Sequence, residues 1–429
     1  MFNSEQAQKK WGALLDHADC EPIKDNYRRA VTATLLENQE RAMREERAQQ
    51  SFQLNESDTQ TADMGKFDPT LIALVRRAMP SLIAYDVAGV QPMSGPTGLI
   101  FAMVPVYKST KSGIDPANDT EKGLAFGAGA PDTGFGGDGE GESTGTGYDT
   151  ATGEALTGTH GDTSPSAGAF GAMGFQIDKA TVTARTRALK AGYTMELAQD
   201  LKAVHGLDAE SELANILSTE ILGEINREVI GAIRTQAKTG TEDGSTVGTF
   251  DLNDTADNLG ARWGQEKFQS LVFNIEKEAN QIGRETRRGK GNFVIVSPNV
   301  GSALAAAGNL NYSDGLTSTG LSIDTVGNTF AGTLNGSTKV YIDPYQTTDQ
   351  VIVGYRGANA IDAGLFYCPY VPLTMVKAVG EEDFQPRIAF KTRYGLISNP
   401  IAVNSADSVD GLSAAGSNVY YRKFTVTNI

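Results

Sequence analysis

The chain has 429 residues, 40% of them hydrophobic, and a net charge of −15. That length supports two or three domains with cores of their own, and that charge argues against a nucleic-acid binder, whose contact surface is basic. No apolar run approaches the roughly 18 residues of a membrane span; the N-terminus lacks a signal peptide's apolar stretch, and the two cysteines, Cys20 and Cys368, give no disulfide framework, which fits synthesis in a cytoplasm.

Residues 1–56 read as polar helices. Ala30 to Gln50 is rich in Ala, Leu, Glu and Arg, all good helix formers. The segment holds eight Lys/Arg and ten Asp/Glu with few aromatics, so it is expected to build little core. A polar linker, SDTQTADMGK, starts at Ser57. Thr70 to Ala78 is expected to be a short helix stopped near Pro80. Gln91 to Gly98 holds two prolines and two glycines and reads as a turn or extended arm. Leu99 to Tyr107 reads as a strand, with Pro105 pointing to an edge or bulge.

Residues 123–174 carry sixteen of the 48 glycines, and Asp115 to Asp162 holds ten acidic residues against one lysine. No apolar period survives there, so the stretch reads as a long excursion from a β-hairpin or a small irregular insertion. A β-prone run, Phe175 to Leu189, can pair back on Leu99–Tyr107. The result is a two-stranded arm, and an isolated hairpin is marginal in water. The arm therefore needs a neighbour to lie on.

Met195 to Val204 is a helix, punctuated by His205-Gly206. The longest helix follows, Asp208 to Lys238, about 45 Å from end to end. Leu213, Leu217, Ile221, Ile225, Val229 and Ile233 step by four, and Ile216, Leu222 and Ile230 widen the stripe. Asp208 is placed to cap it, Glu210 and Glu212 suit its first turn, Arg234 and Lys238 its last, and Gly240 its stop. Such a length suits a strut across a flat domain, although an α+β protein of any kind can contain a long helix. Thr239 to Leu252 reads as polar loop. Trp263 to Ile282 is a helix with Phe268, Leu271, Val272, Ile275, Ala279 and Ile282 on one face. Then come a strand at Phe293–Ser297, a helix at Val300–Ala307 and a loop through Gly320. Lys339–Ile342 and Val351–Tyr355 are expected to form a hairpin. Leu365–Leu373, Arg387–Ile397 and Val419–Val426 are further strands. The class is α+β with mixed sheets.

Catalytic and metal constellations are weak. The three histidines, His17, His160 and His205, sit in three contexts. Asp16-His17-Ala18-Asp19-Cys20 has ligand-type residues but no second ligand group at matching spacing. Gly136-Gly137-Asp138-Gly139-Glu140 resembles a single calcium-binding repeat, and one copy is no array. Gly283 to Gly291, GRETRRGKG, lacks Ser or Thr after Lys290 and precedes a strand instead of following one, so it is no phosphate loop. Arg284, Arg287 and Arg288 fit a helix C-terminus. No catalytic residue, cofactor or metal site is assigned.

Long stretches carry a resemblance. FDPTLIALVRRAMPSLIAYDVAGVQPMSGPTGLIFAM at 67–103, YTMELAQDLKAVHGLDAESEL at 193–213 and ARWGQEKFQSLVFNIEKEA at 261–279 are similar to the major capsid protein family of T4-like contractile-tailed bacteriophages. So are RGKGNFVIVSPNV at 288–300, YIDPY at 341–345, VGYRGANAIDAGLFYCPYVPLT at 353–374 and FQPRIAFKTRYGLISNP at 384–400, in collinear order. The resemblance implies the HK97-type capsid fold and no enzymatic activity. It implies a cleavable propeptide at 1–56, an N-terminal arm at 57–96 and an extended loop at 97–190. A peripheral domain at 191–262 would hold the long helix as its spine. An axial domain at 263–395 and return strands at 396–429 would complete the chain. The glycine-rich 113–174 departs from relatives that carry a compact insertion domain.

The implied assembly is an icosahedral head of hexamers, with pentamers a further form, enclosing double-stranded DNA without sequence-specific binding. Vertex, portal, scaffold and decoration proteins and a prohead protease are the implied partners, with no membrane. A vertex (pentamer) protein of the same family and an enzyme-housing nanocompartment shell are the rival readings. The family's protease cuts after Leu/Ile-x-Glu. Leu54-Asn55-Glu56 fits, placing the cut between Glu56 and Ser57. Leu35-Leu36-Glu37 also fits but lies inside the expected Ala30–Gln50 helix, so it ranks second.

Overall fold

The computed structural model describes residues 4–16, 23, 25–51, 82–107, 173–241, 246–254, 260–261, 263–286, 288–308, 310–311, 329–359, 362–380, 385–400 and 411–429. The expected helix at Thr70–Ala78, the excursion between Asp115 and Asp162 and most of the loop through Gly320 lie outside them. The described chain is α+β, as expected, with three sheets.

Two helices open the chain, α1 (Ser4–Leu15) and α2 (Asn26–Ser51), followed by a short α3 (Ala84–Val87). A two-residue strand, β1 (Gly89–Val90), then leads into the arm. The expectation that this N-terminal segment builds little core is overturned. Val31, Ala33, Leu35 and Leu36 are almost fully buried, in the same apolar cluster as the long helix. The charge count missed this because the charged residues gather elsewhere on α2, while 31–36 pack inward.

The arm is a ribbon of β2 (Thr97–Tyr107) and β3 (Met173–Thr183), antiparallel and in continuous register from Thr97↔Thr183 to Tyr107↔Met173. In a two-stranded ribbon every strand is an edge, which accommodates Pro105. The expected single run from Phe175 to Leu189 instead breaks at Ala184. Its second part, β4 (Arg185–Gly192), leaves the ribbon and pairs with β13 (Pro386–Ser398). The four-stranded sheet has the order β1-β12-β13-β4, where β12 is Leu365–Val379.

Helix α4 (Met195–His205) has a complete set of end signals. Thr194 Oγ1 accepts from Leu197 N at 3.3 Å, and Gly206 ends it in the left-handed region. The long helix, α5, runs Ala209–Gln236. Asp208 holds the N-cap position, but its side chain accepts no capping bond. Lys238 and Gly240 lie beyond the helix, because the chain turns extended at Ala237 and forms β5 (Ala237–Thr239), parallel to β14 (Asn418–Thr427). Leu217, Ile221, Leu222, Ile225, Val229, Ile230 and Ile233 are buried as the stripe predicts, and Leu213 is half-buried. Ile216 is the exception: it faces solvent near the N-terminal end.

The largest sheet has eight strands in the order β5-β14-β11-β7-β10-β9-β8, with β6 (Thr249–Asp251) also on β14. The other members are β7 (Phe293–Val296), β8 (Leu310–Asn311), β9 (Thr329–Leu334), β10 (Thr338–Ile342) and β11 (Gln350–Gly354). The expected polar loop at 239–252 thus contributes sheet, and its Phe250 is buried. The expected hairpin of β10 with β11 does not form. β7 lies between them, parallel to β10 and antiparallel to β11. β10 instead forms its hairpin with β9 across Asn335-Gly336, both at positive φ, the geometry that Asn-Gly favours. All four residues of β7 are buried, as befits a central strand covered on both faces. One face packs on α6 (Gly264–Thr286) and α7 (Pro298–Ala306); the other joins the α5 cluster. Leu271, Val272, Ile275, Ala279 and Ile282 of α6 are buried as expected, with Phe268 partly so.

Candidate functional site

The features that single out a working surface are apolar side chains left in solvent and the braces that aim them. Along β2 and β3 the faces alternate. Ile100 and Val182 point inward and pack with Met93, Phe366, Cys368 and Ile397. On the opposite face Leu99, Phe101 and Ile177 are 49%, 54% and 57% exposed. Phe101 stands across from Lys179, and Leu99 from Thr181. Three large apolar groups on one face of the ribbon form a patch that no described residue covers.

The root of the arm is fixed closely. A Cβ on Gly395 of β13 would lie 2.4 Å from Val182 Cγ2 and 2.9 Å from Thr183 O, so only glycine lets β13 and β3 approach this far. Ala184 N donates to Pro96 O at 2.8 Å and closes the base of the ribbon. The Cys368 thiol lies beneath it, pushed up to about 12 by burial and hence unreactive.

Next along the chain, Arg187 of β4 ties the root to α5. Its guanidinium meets Glu224 Oε2 at 2.8 Å, Glu228 Oε2 at 2.6 Å and the Tyr394 hydroxyl at 3.0 Å. Burial opposes its charge, but the Glu224 hydrogen bond, Tyr394 and Glu228 outweigh that, and its pKa is raised. Burial and the Glu228 carboxylate hold the Tyr394 hydroxyl well above its ordinary value. This is a brace, with every reactive group already engaged. It lines a cleft of about 670 Å³ between the arm root, α5 and residues 412–415.

A second exposed apolar region caps the far end of the four-stranded sheet. Helix α4 has no buried residue, and Met195, Leu197, Val204 and Leu207 are exposed. Val376 and Val379, at the end of β12, are exposed as well. Met195 N donates to Gln385 Oε1 at 2.9 Å, and Lys377 pairs with Glu210, so α4, the start of α5 and the β12–β13 tip meet at one end.

The eight-stranded sheet carries a buried charge group. Arg422 on β14 is 2% exposed and bonds Glu278 Oε2 at 3.0 Å and Glu285 Oε1 at 2.5 Å; Lys238 joins Glu285 at 3.1 Å. Burial alone would raise the Glu285 pKa, but Arg422 and Lys238 outweigh it and hold the carboxyl low. Glu278 also accepts from Thr241 N at 2.8 Å, so the group ties α6 to β14 and to the turn after β5. No local sequence signal marks it, because Arg422 lies 137 residues from Glu285 along the chain.

The motifs weighed in the sequence fall as follows. Leu54, Glu56 and Ser57 lie outside the described residues, as do His17, Cys20, His160 and 136–140. Asp16 pairs with Arg29, and His205 is exposed at the end of α4. Arg284 is in the last turn of α6, as expected, and Arg287 lies outside the described residues. Arg288 bonds Asp362 at 3.1 Å, and Lys290 bonds Glu276 at 2.7 Å. Among the described residues no three His, Cys, Asp or Glu side chains cluster as metal ligands.

Comparison with known proteins places this arrangement. The family described as Major capsid protein Gp23 matches residues 64–426. The major capsid protein of Enterobacteria phage T4 is 35% identical over 98% of this chain and 98% of its own. That of Salmonella phage ViI is 37% identical over 99% and 98%. The capsid vertex protein of phage T4 is 30% identical over 53% of each chain. Among solved structures, the capsid of Myoviridae Phage XM1 covers 80% of this chain and 92% of its own at 11% identity and a TM-score of 0.39.

Proposed function

The chain belongs to the major capsid protein Gp23 family, and from that premise we propose that it forms hexamers in the icosahedral head of a T4-like tailed bacteriophage, around double-stranded DNA. Full-length similarity to major capsid proteins carries this reading. The vertex alternative is not favoured, since similarity to a vertex protein spans about half of each chain. Pentamers of the same chain, and contacts with vertex, portal, scaffold and decoration proteins, are part of the proposal.

The role is structural, with no reaction catalysed. The subunit is of the HK97 type. Its peripheral part is α5 with the four-stranded sheet, and its axial part is the eight-stranded sheet with α6. This division follows the sheets and so differs from the expected peripheral domain at 191–262, axial domain at 263–395 and return strands at 396–429: β12 and β13 join the peripheral part and β14 the axial part. The arm lies on a neighbouring subunit, which covers Leu99, Phe101 and Ile177. Their exposure in the single subunit supports this.

The prohead protease cuts between Glu56 and Ser57. Leu35 and Leu36 are buried in α2, which supports ranking the Glu37 site second. Loss of residues 1–56 removes eight positive and ten negative charges and moves the net charge from −15 to −13. The shell protein then repels phosphates and encloses DNA without holding it tightly. Intact-mass measurement of the shell protein from mature virions tests the reading. A mass for residues 57–429 supports it. A mass for the full chain or for 38–429 rejects the cut, and absence of this chain from the shell rejects the function. Glu56→Ala is expected to stall maturation unless the Glu37 site substitutes.

A further inference from the structure

The N-terminal hairpin is seated on the body of the subunit through a specific surface. From 31 to 40, every residue of α2 except Thr34 and Glu37 is buried, broader than the single stripe of a surface helix. Helix α1 closes over it: Ala7 and Leu15 are buried, Trp11 and Leu14 pack on the same cluster, and Lys10 pairs with Glu40.

The hydrogen bonds of Tyr27, Asn38 and Gln39 aim at one edge of the four-stranded sheet. The Tyr27 hydroxyl donates to Val90 O, at the end of edge strand β1. The chain continues beside β12, where Met93 N donates to Pro369 O at 2.9 Å. Asn38 Nδ2 donates to Met93 O at 2.8 Å and to Tyr370 O at 3.1 Å, and Gln39 Nε2 donates to Leu373 O at 2.6 Å. Tyr370 and Leu373 are residues that the β12–β13 register skips, in its shifts between Pro369 and Val371 and between Val371 and Thr374. Bulge residues are left out of the ladder, and here carboxamide side chains, the nearest mimics of a backbone N–H, take their carbonyls. Arg28 adds an ion pair to Asp86 at 2.7 Å.

We infer that this bulged edge is a helix-binding surface whose occupant is the chain's own N-terminal hairpin, and that the hairpin stays seated after the chain is cut behind it. Each named contact is made by a residue between 7 and 40, ahead of the linker. Cutting the linker therefore leaves the contacts intact and removes the tether. A unimolecular equilibrium becomes a bimolecular one, and departure becomes a matter of concentration. The cut permits release without driving it. The Leu35-Leu36-Glu37 site stays shielded until the hairpin leaves, so any cut there comes second.

The inference takes from the proposed function only that the chain is cut behind the hairpin, and its test supplies that cut artificially. A recognition sequence for a site-specific protease is inserted between residues 52 and 57 of the full chain. The folded protein is cut and passed through gel filtration at a series of dilutions. The N-terminal piece is expected to co-elute with the body and to separate only on dilution. In the Asn38→Ala, Gln39→Ala double variant, which loses three hydrogen bonds, separation is expected at about tenfold higher concentration or more. Immediate separation of the unmutated piece overturns the inference, and so does a double variant that holds as tightly as the parent. If the double variant fails to fold, Tyr27→Phe, which removes one hydroxyl and no bulk, carries the same comparison with a smaller expected shift. Failure here leaves the virion mass measurement untouched, so the two readings fail separately.

Discussion

The two larger sheets meet solvent in opposite ways. The eight-stranded sheet is finished at its centre: both faces of β7 are covered and its buried charge group is paired internally, while Val247, Trp263 and Phe273 at its margin stay exposed. The four-stranded sheet and its appendages are unfinished. Its edge is covered by the N-terminal hairpin, its arm leaves Leu99, Phe101 and Ile177 in water, and no residue of α4 is fully buried. The buried centre of one region holds the subunit together, and the edge, arm and α4 of the other await contact, which is what an assembling shell subunit needs.

Ile225 is fully buried on α5, in the cluster that touches both sheets. Ile225→Asp places a carboxylate there and forfeits apolar burial, at a combined cost of about 4 kcal/mol or more. Insoluble or unassembled subunit is the expected product; normal shells from this variant would refute the assignment of the buried stripe.

Within the finished region, Arg422→Ala leaves Glu278 and Glu285 buried without their main partner, and a loss of about 3–5 kcal/mol is expected. Urea denaturation of the purified subunit reads it. A midpoint within error of the parent would show that the charges repair themselves with water.

The same group sets a pH dependence. The Glu285 pKa is lower folded than unfolded, so its contribution is fully present above the ordinary carboxylate value of about 4.3 and is lost as pH falls through the lower folded value. Stability should therefore fall with acid below that range. The fall should be shallower in Glu285→Gln, whose loss is already present at neutral pH. Parallel acid profiles for the two proteins would count against the linkage.

The unfinished region should behave in reverse. Phe101→Ser changes a side chain 54% exposed, so the free subunit should keep its stability within about 0.5 kcal/mol. Shell formation should nonetheless fail or slow sharply, read by light scattering. Unchanged assembly would mean that the arm's outer face stays in solvent.

Local signals were legible in the sequence, and long-range ones were not. The step-by-four apolar run from Leu213 to Ile233 and the end of α4 at Gly206 act within a few residues of themselves, so the sequence displays them. Ile216 misled because a period marks a face without saying how far the neighbouring sheet extends beneath it. β10 and β11 do not pair although two apolar strands close in sequence look like a hairpin; the turn signal in this stretch is Asn335-Gly336, between β9 and β10. Arg422 and its partners are joined only by the fold. For the N-terminal helices, charge count misjudged burial, because Asn38 and Gln39 are polar residues that bury by bonding backbone carbonyls. The cut after Glu56 rests on sequence pattern and family resemblance.

The measurement that bears most directly on the account is a cryo-electron microscopy map of the purified virion at side-chain resolution. The account predicts this chain in every hexamer, beginning after residue 56, with the Leu99, Phe101 and Ile177 face of each arm covered by the adjacent subunit. A map showing the chain confined to the vertices, or arms with that face turned to solvent, would contradict it.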